Sequence, residues 1–206
     1  RPHFIYNILA SIQVLCLKDP QKAAGAVACF SSYLRGNMDA IGNENLVPFP
    51  YELAHVENYV TLERIRFGEK LKVCYEFEKG WDMDFDIPVL SLQPIVENAF
   101  IHGLEEKNGN GTIKISGILN DEEETVLFMI HDNGVGMTRA QIEKALDPPP
   151  GTKGSFGLSS VHKRLQLLYG TDFGLKILSD PGKGTTIIIR MPLHVEKTEK
   201  EKQYRI

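Results

Sequence analysis

An α+β fold is predicted by three features of this 206-residue sequence. Up to about residue 69, apolar positions recur at three- and four-residue steps with no strand pattern. Strict alternation then sets in at "KLKVCYEFE". Beyond it, strand-like and helix-like runs take turns as far as "TTIIIRMPL". The expected architecture is a helical region, packed on itself or on a second copy, followed by a two-layer α/β sandwich.

The elements follow in order. "FIYNILASIQVLCL" reads as a first helix, and Asp19-Pro20 as an N-cap with proline at the first position of a second, "QKAAGAVACFSSYLRGNM". "IGNENLVPFP" reads as loop from its Gly, Asn and Pro. "YELAHVENYVTLERIRF" is long and amphipathic, with Leu53, Val56, Val60 and Phe67 on one side. After the strand "KLKVCYEFE" comes the helix "SLQPIVENAFIHG", with Ser91 as its N-cap and Gly103 near its C-terminal end. "TIKISGIL" and "TVLFMIHD" are strands joined by the acidic turn "NDEEE". "TRAQIEKAL" is a short helix, "DPPPGTKGSFG" a breaker run and "LSSVHKRLQLLYG" a helix. "LKILS" and "TTIIIRMPL" are strands joined by "DPGKG", and "EKTEKEKQYRI" is a charged tail. The divisions expected are 1–69, 70–193 and 194–206.

Composition narrows the function. Hydrophobic residues at 42% and charged residues at 24% are those of an ordinary globular protein with a real core. A net charge of −4 gives no basic surplus for nucleic acid, so no direct nucleic-acid partner is expected. Cys16, Cys29 and Cys74 are far apart and lack metal-ligand spacing, which points to free, buried thiols in a reducing compartment. No apolar run approaches the ~20 residues of a membrane span. The chain opens at Arg1, without Met, inside a helical pattern, so it is expected to be a fragment of something longer.

Four stretches carry chemistry. In "LQPIVENAFIHGL" the polar Asn98 and His102 stand four apart on a mostly apolar helix, and so share a face. "HDNGVGM" ends a strand with Asp132 followed by Gly134 and Gly136, which would let a ligand approach the backbone. "GTKGSFGL" runs into a helix whose first N–H groups suit phosphate. "GKGTT" opens the last strand. Singly each is an ordinary turn or cap.

In this order and spacing they resemble the ATP-binding, Bergerat-type fold of the gyrase, MutL and histidine-kinase superfamily, over roughly residues 70–193. The resemblance implies ATP as ligand. Asn98 would coordinate Mg²⁺ between the phosphates, with His102 on the same face. Asp132 would accept a hydrogen bond from the adenine amino group, and Gly134 and Gly136 would shape the purine pocket. Gly154, Gly157 and Leu158 would belong to the lid over the phosphates, and Thr185 would back the adenine end. Ile95, Ala99 and Phe100 would face the sheet.

Hydrolysing members of that superfamily carry a Glu four residues before the metal-binding Asn. Here that position is Pro94, which can neither take a proton nor orient water. Glu97 lies about 100° round the helix from Asn98 and is a poor substitute. The phosphoryl group should therefore go elsewhere. "RPHFIYN" resembles the phosphoacceptor box of the LytS/YesM-type sensor histidine kinases, and "YELAHVENYVTLERIRFGEKL" is similar to their second dimerisation helix.

That resemblance makes His3 the nucleophile of a two-component kinase, passing phosphate to an aspartate in a response-regulator receiver domain. It implies a homodimer, and a bacterial membrane receptor whose upstream sensor lies outside these residues. Phe4 stands where many histidine kinases have an acid, so Asn7, one turn on, is the candidate that polarises the imidazole. Ser155, Phe156 and Ser160 depart from the usual second glycine box, and Ser155, in place of the middle glycine, should stiffen the lid. The rivals are an ATPase, an anti-sigma-type serine kinase and a non-catalytic nucleotide-binding scaffold.

Of the remaining histidines, His55 and His162 are expected at the surface and His194 in the tail. Strand alternation should turn His131 away from the pocket. Arg64 and Arg66 could reach phosphates from the helical region, but solvated surface charge is the expected reading.

Overall fold

The structure, a computed structural model, describes residues 2–40, 46–78, 84–120, 122–149 and 156–193. Its order is α1 (Pro2–Lys18), α2 (Pro20–Asp39), β1 (Leu46–Pro48), α3 (Phe49–Phe67), β2 (Leu71–Phe77), β3 (Asp86–Pro88) and α4 (Gln93–Asn98). There follow β4 (Gly111–Asn120), β5 (Thr125–Asp132), α5 (Arg139–Leu146), α6 (Phe156–Tyr169), β6 (Gly174–Asp180) and β7 (Gly184–Pro192). Five strands form one sheet in the order β2-β4-β5-β7-β6, with β2 parallel to β4 and the other pairs antiparallel.

Local chemistry accounts for most boundaries. Asp19 accepts a hydrogen bond from the Lys22 N–H at 3.0 Å with Pro20 behind it, the expected cap of α2. Thr138 and Gln141 form a reciprocal capping box on α5. Alternation aims Ile113 and Ile115 of β4, Val126, Phe128 and Ile130 of β5, and Ile187, Ile189 and Met191 of β7 into the core. One hydrophobic cluster runs from Phe4 and Ile8 of α1 through Tyr59 and Leu62 of α3 to these strands. Phe49 joins the two regions, its ring 5.1 Å from those of Phe85 and Phe128. Full burial of a side chain of this size contributes roughly 2–3 kcal/mol.

Several expectations need correction. Residues 46–48 of the anticipated loop are a strand, antiparallel to Asp86–Pro88; residues 41–45 lie outside the described residues. The pairing is fixed by a partner about 40 residues away, which local composition cannot reveal. Cys16 and Cys74 are free but exposed, not buried. His162 is half-buried, and its Nδ1 accepts the Leu175 N–H at 3.0 Å. His194 lies outside the described residues.

His55 is the largest departure from a surface expectation, with 5% of it exposed. Its ring stacks on Tyr33 at 5.7 Å with 12° between planes, and a Cβ at Gly36 would strike it. Nε2 has no hydrogen-bond partner. Arg35 and Asp39 line the cavity beside it. Burial lowers the imidazole pKa from 6.5 to about 4.

The unfolded chain thus takes up this proton first. The stability gained from keeping His55 neutral is complete above about pH 6.5 and is lost as pH falls towards 4. At ~1.4 kcal/mol per pH unit the gap is worth roughly 3 kcal/mol. Thermal melts at pH 7.5 and pH 5 are expected to show a larger acid-induced drop in wild type than in His55→Phe.

Candidate functional site

The site is built where the ends of β5 and β7 meet the helix that follows Gln93. Asp132 is the last residue of β5, paired with Thr185 of β7 and Ile113 of β4. It is 3% exposed, and Oδ1 accepts the Gly134 N–H at 2.9 Å. Burial raises its pKa. The N–H groups of Gly134 and Thr185 and the charges of His131 and Lys107 work against that rise.

The carboxylate sits against Gly103, where a Cβ would come within 2.7 Å of Oδ1. A Cβ at Gly134 would overlap the Gly103 backbone, and Val135 N–H donates to the Gly103 carbonyl at 3.2 Å. Gly136 has φ +72° and its Cβ would overlap Asp180 O, so only glycine serves there. Thr185 is buried, with its hydroxyl 2.9 Å from Ser179 Oγ. Ser179 Oγ donates to Gly184 O at 2.8 Å and accepts the Met137 N–H at 2.8 Å, tying the glycine turn to the last hairpin. Asp132, Gly134, Gly136 and Thr185 therefore share one locus. Gly103 and Ser179 support it, and the sequence reading did not assign them to it.

The helix carrying Asn98 and His102 is not a uniform α-helix. After Asn98 it widens into a π-helical stretch over Ala99–Leu104, then tightens into a 3₁₀ turn over Glu105–Lys107. Such widening is frequent at functional sites. Gly103 lies inside this stretch rather than at the helix end, and its role is the close approach described above. Ile95, Ala99 and Phe100 are buried as expected. Asn98 is half-buried and His102 exposed.

Pro94 occupies the first turn of α4, where a missing N–H costs nothing. Glu97 Oε1 accepts from Tyr33 OH at 3.1 Å and from Gln93 Nε2 at 2.8 Å, so it is engaged with α2 and its own helix.

Ser91 does not cap α4; its hydroxyl donates to Pro88 O at 2.6 Å. The cap comes from another element. Glu52 of α3, fully buried, accepts the N–H groups of Leu90, Leu92 and Gln93 at 2.9, 2.9 and 3.2 Å. Arg164 of α6 donates to Leu90 O at 3.1 Å and to Ser91 Oγ at 3.4 Å. Between these two charges Leu90 is held at φ +55°, a strained value for leucine. Burial raises the Glu52 pKa, opposed by its three N–H donors and by Arg164.

Gly157 and Leu158 lie in the first turn of α6, Leu158 buried. Gly154 and Ser155 lie outside the described residues. Ser160 is exposed.

His3 stands on the first turn of α1, exposed, its Nδ1 3.2 Å from the Asn7 amide nitrogen. Phe4 beside it is 6% exposed and packs on Tyr33 and Tyr59 at 5.2 and 5.1 Å. The position after His3 is thus core, where an acid would be buried. His3, Phe4, Glu63, Arg66, Ile101, His102 and Glu105 line a cavity of about 250 Å³. His3 and His102 are thereby brought together, whereas Asn98 is not among the lining residues. Arg64 is exposed as expected, whereas Arg66 is half-buried. Arg64 donates to Val73 O at 3.2 Å, and Arg66 pairs with Glu105 and Glu63.

Residues 1–71 match the histidine kinase family model, and residues 87–195 match that of the histidine kinase-, DNA gyrase B- and HSP90-like ATPases. The chain is 34% identical over 199 residues to the putative uncharacterized protein YwpD of Bacillus subtilis strain 168, covering 96% of this chain and 68% of that one. It is 33% identical to the sensor histidine kinase YpdA of Escherichia coli K12, over 93% of this chain and 32% of that one. To the sensor protein LytS of Bacillus subtilis strain 168 it is 29% identical, over 97% and 33%. It thus spans about a third of the length of the latter two. Among solved structures, the histidine kinase domain of the blue-light activated kinase from Erythrobacter litoralis EL346 shares the fold. The TM-score is 0.52 at 17% identity, covering 93% of each chain.

Proposed function

From the premise that this chain belongs to the histidine kinases, with the ATP-binding fold of that family, we propose that it transfers the γ-phosphoryl group of ATP to His3. From there the group passes to an aspartate of a response regulator. The single observation that carries the proposal is the cavity that places His3 against the helix bearing Asn98 and His102.

Residues 1–69 would form the dimerisation and phosphotransfer region, 70–193 the ATP-binding domain and 194–206 a tail. Asp132, with its two backbone donors, is suited to fix the adenine amino group, with Gly134, Gly136 and Thr185 around the purine. Gly154, Gly157 and Leu158 would close over the phosphates. No group of three or more His, Cys, Asp or Glu among the described residues is placed to hold a metal. The amide oxygen of Asn98 would be the protein ligand of a magnesium ion carried in by the triphosphate. When bound, the ion would offset charge on the phosphate oxygens.

In the transfer, an imidazole lone pair of His3 forms the N–P bond as the bond from γ-phosphorus to the bridging oxygen breaks. The electron pair leaves on ADP, and the ring N–H proton departs to solvent. As placed, the Asn7 amide N–H donates to His3 Nδ1; turning the amide so that Oδ1 accepts Nδ1–H would leave the Nε2 lone pair for the attack. Loss of one such hydrogen bond is expected to slow autophosphorylation of Asn7→Ala about tenfold at saturating ATP. An unchanged rate would remove Asn7 from the mechanism.

Dimerisation is supported by a second apolar face on α1. Tyr6 is 70% and Leu17 89% exposed, with Leu9 and Val14 half exposed, while Phe4, Ile8 and Ile12 fill the core. No helix of the described residues is long and apolar enough to cross a membrane. The kinase reading puts membrane attachment in a sensor segment upstream, in a receptor whose catalytic part faces the cytoplasm.

The test is incubation with γ-labelled ATP. Acid-labile, base-stable label that disappears in His3→Ala is expected. Steady phosphate release without label would make the chain an ATPase, and nucleotide binding with neither outcome a scaffold.

A further inference from the structure

We propose that Arg66 is a further phosphoryl-binding residue, held in waiting by Glu105 until the phosphoryl group reaches His3. The proposal deepens the kinase reading and rests on it.

The guanidinium lies in the wall of the cavity that His3 lines. It is 20% exposed, and its carbon sits 4.5 Å from the centre of the Phe67 ring, which fixes its plane. Nη2 is hydrogen-bonded to Glu105 Oε1. Nη1 is 3.6 Å from Glu63 Oε2, too far for a hydrogen bond, and that carboxylate oxygen has no hydrogen-bond partner. The Nη1 hydrogens, fixed in the guanidinium plane, are therefore available to an anion that enters the cavity.

Glu63 is 1% exposed and is held by Tyr59 OH at 2.9 Å. Burial raises its pKa, opposed by the Tyr59 hydroxyl and by Arg66. Glu105 differs. Its side chain is 31% exposed and sits on the 3₁₀ turn that ends the Asn98 helix, so it can leave Arg66 without unpacking the core. A planar fork of N–H donors matches phosphoryl oxygens in two places at once. The ion pair also ties α3, from the phosphoacceptor region, to the helix proposed to hold the nucleotide. Movement at one is thereby felt at the other.

Two phosphoryl donors test this on the whole chain: γ-labelled ATP, and phosphoramidate, which labels histidine without the ATP site. His3 occupancy is read by mass spectrometry, and nucleotide affinity with a fluorescent ATP analogue. Arg66→Gln is expected to slow His3 labelling about tenfold or more from both donors, with nucleotide affinity within about twofold of wild type. Arg66→Lys, which keeps the charge but not the fork, should recover part of the rate. Glu105→Gln should label at or above the wild-type rate.

Arg66→Gln labelling at the wild-type rate from phosphoramidate would overturn the proposal. So would Glu105→Gln falling as far as Arg66→Gln, since the pair would then be purely structural. Wild type that labels from phosphoramidate in an Arg66-dependent way, yet never from ATP, would instead sink the kinase reading and leave Arg66 in place.

Discussion

Asp132→Ala is expected to weaken ATP binding about 30- to 100-fold, roughly 2–3 kcal/mol, the worth of a hydrogen bond to a buried charged group. The carboxylate is 3% exposed, so its hydrogen bond to the adenine would form largely out of water. Its loss would also strand the Gly134 N–H that now donates to it at 2.9 Å, loosening the turn that brings Gly134 against Gly103. Asp132→Asn, which keeps one acceptor oxygen, should fall between the two.

Burial raises the Asp132 pKa, so the carboxylate takes up its proton at a higher pH than an ordinary aspartate. Nucleotide affinity should therefore decline on acidification earlier than for an exposed acid. Titration with a fluorescent ATP analogue across pH 7 to 4, set against circular dichroism to confirm folding, checks both statements. Affinity that ignores the substitution would remove Asp132 from the site.

Glu52→Ala should cost about 3–5 kcal/mol of stability, since buried donors left without an acceptor cost about 1–3 kcal/mol each. Three backbone N–H groups lose their acceptor, and Arg164 loses the carboxylate that offsets its burial. For a chain of this size the melting temperature should fall by on the order of 10 °C. Glu52→Gln keeps an acceptor oxygen but presents an NH₂ to one of the donors, so a smaller loss is expected. Because Glu52 and Arg164 clamp the Leu90 turn that starts α4, the alanine variant should also lose nucleotide affinity at temperatures where it is still folded. A melt within 2 °C of wild type would contradict this role.

These two residues show what a sequence reveals. The turn at Asp132 was legible because a strand ending in Asp-x-Gly-x-Gly leaves a carboxylate beside bare backbone, but its adenine-binding role came from the resemblance. Helices α1 to α3, β2 and the β4–β7 strands were legible for the same reason, since period and caps are local. His3 entered through resemblance alone.

Glu52 was not legible. An acid in the first turn of an amphipathic helix reads as solvated, and its partners lie about 40 residues further on. His55 was misplaced because a histidine beside Glu57 looks polar until α2 closes over it. The β1–β3 pairing and the Arg66–Glu105 ion pair were hidden by the same distance in sequence. Gly103 looked like a helix end because nothing local announces the π-helical widening or the approach of Asp132.

The most direct measurement is a single turnover with limiting γ-labelled ATP, following where the phosphoryl group goes. With Pro94 in place of a base and Glu97 engaged by Tyr33 and Gln93, most of the label should reach His3 before any inorganic phosphate accumulates. In His3→Ala the ATP should remain bound and intact. Phosphate released by His3→Ala as fast as wild type consumes ATP would mean that water, not the imidazole, is the acceptor.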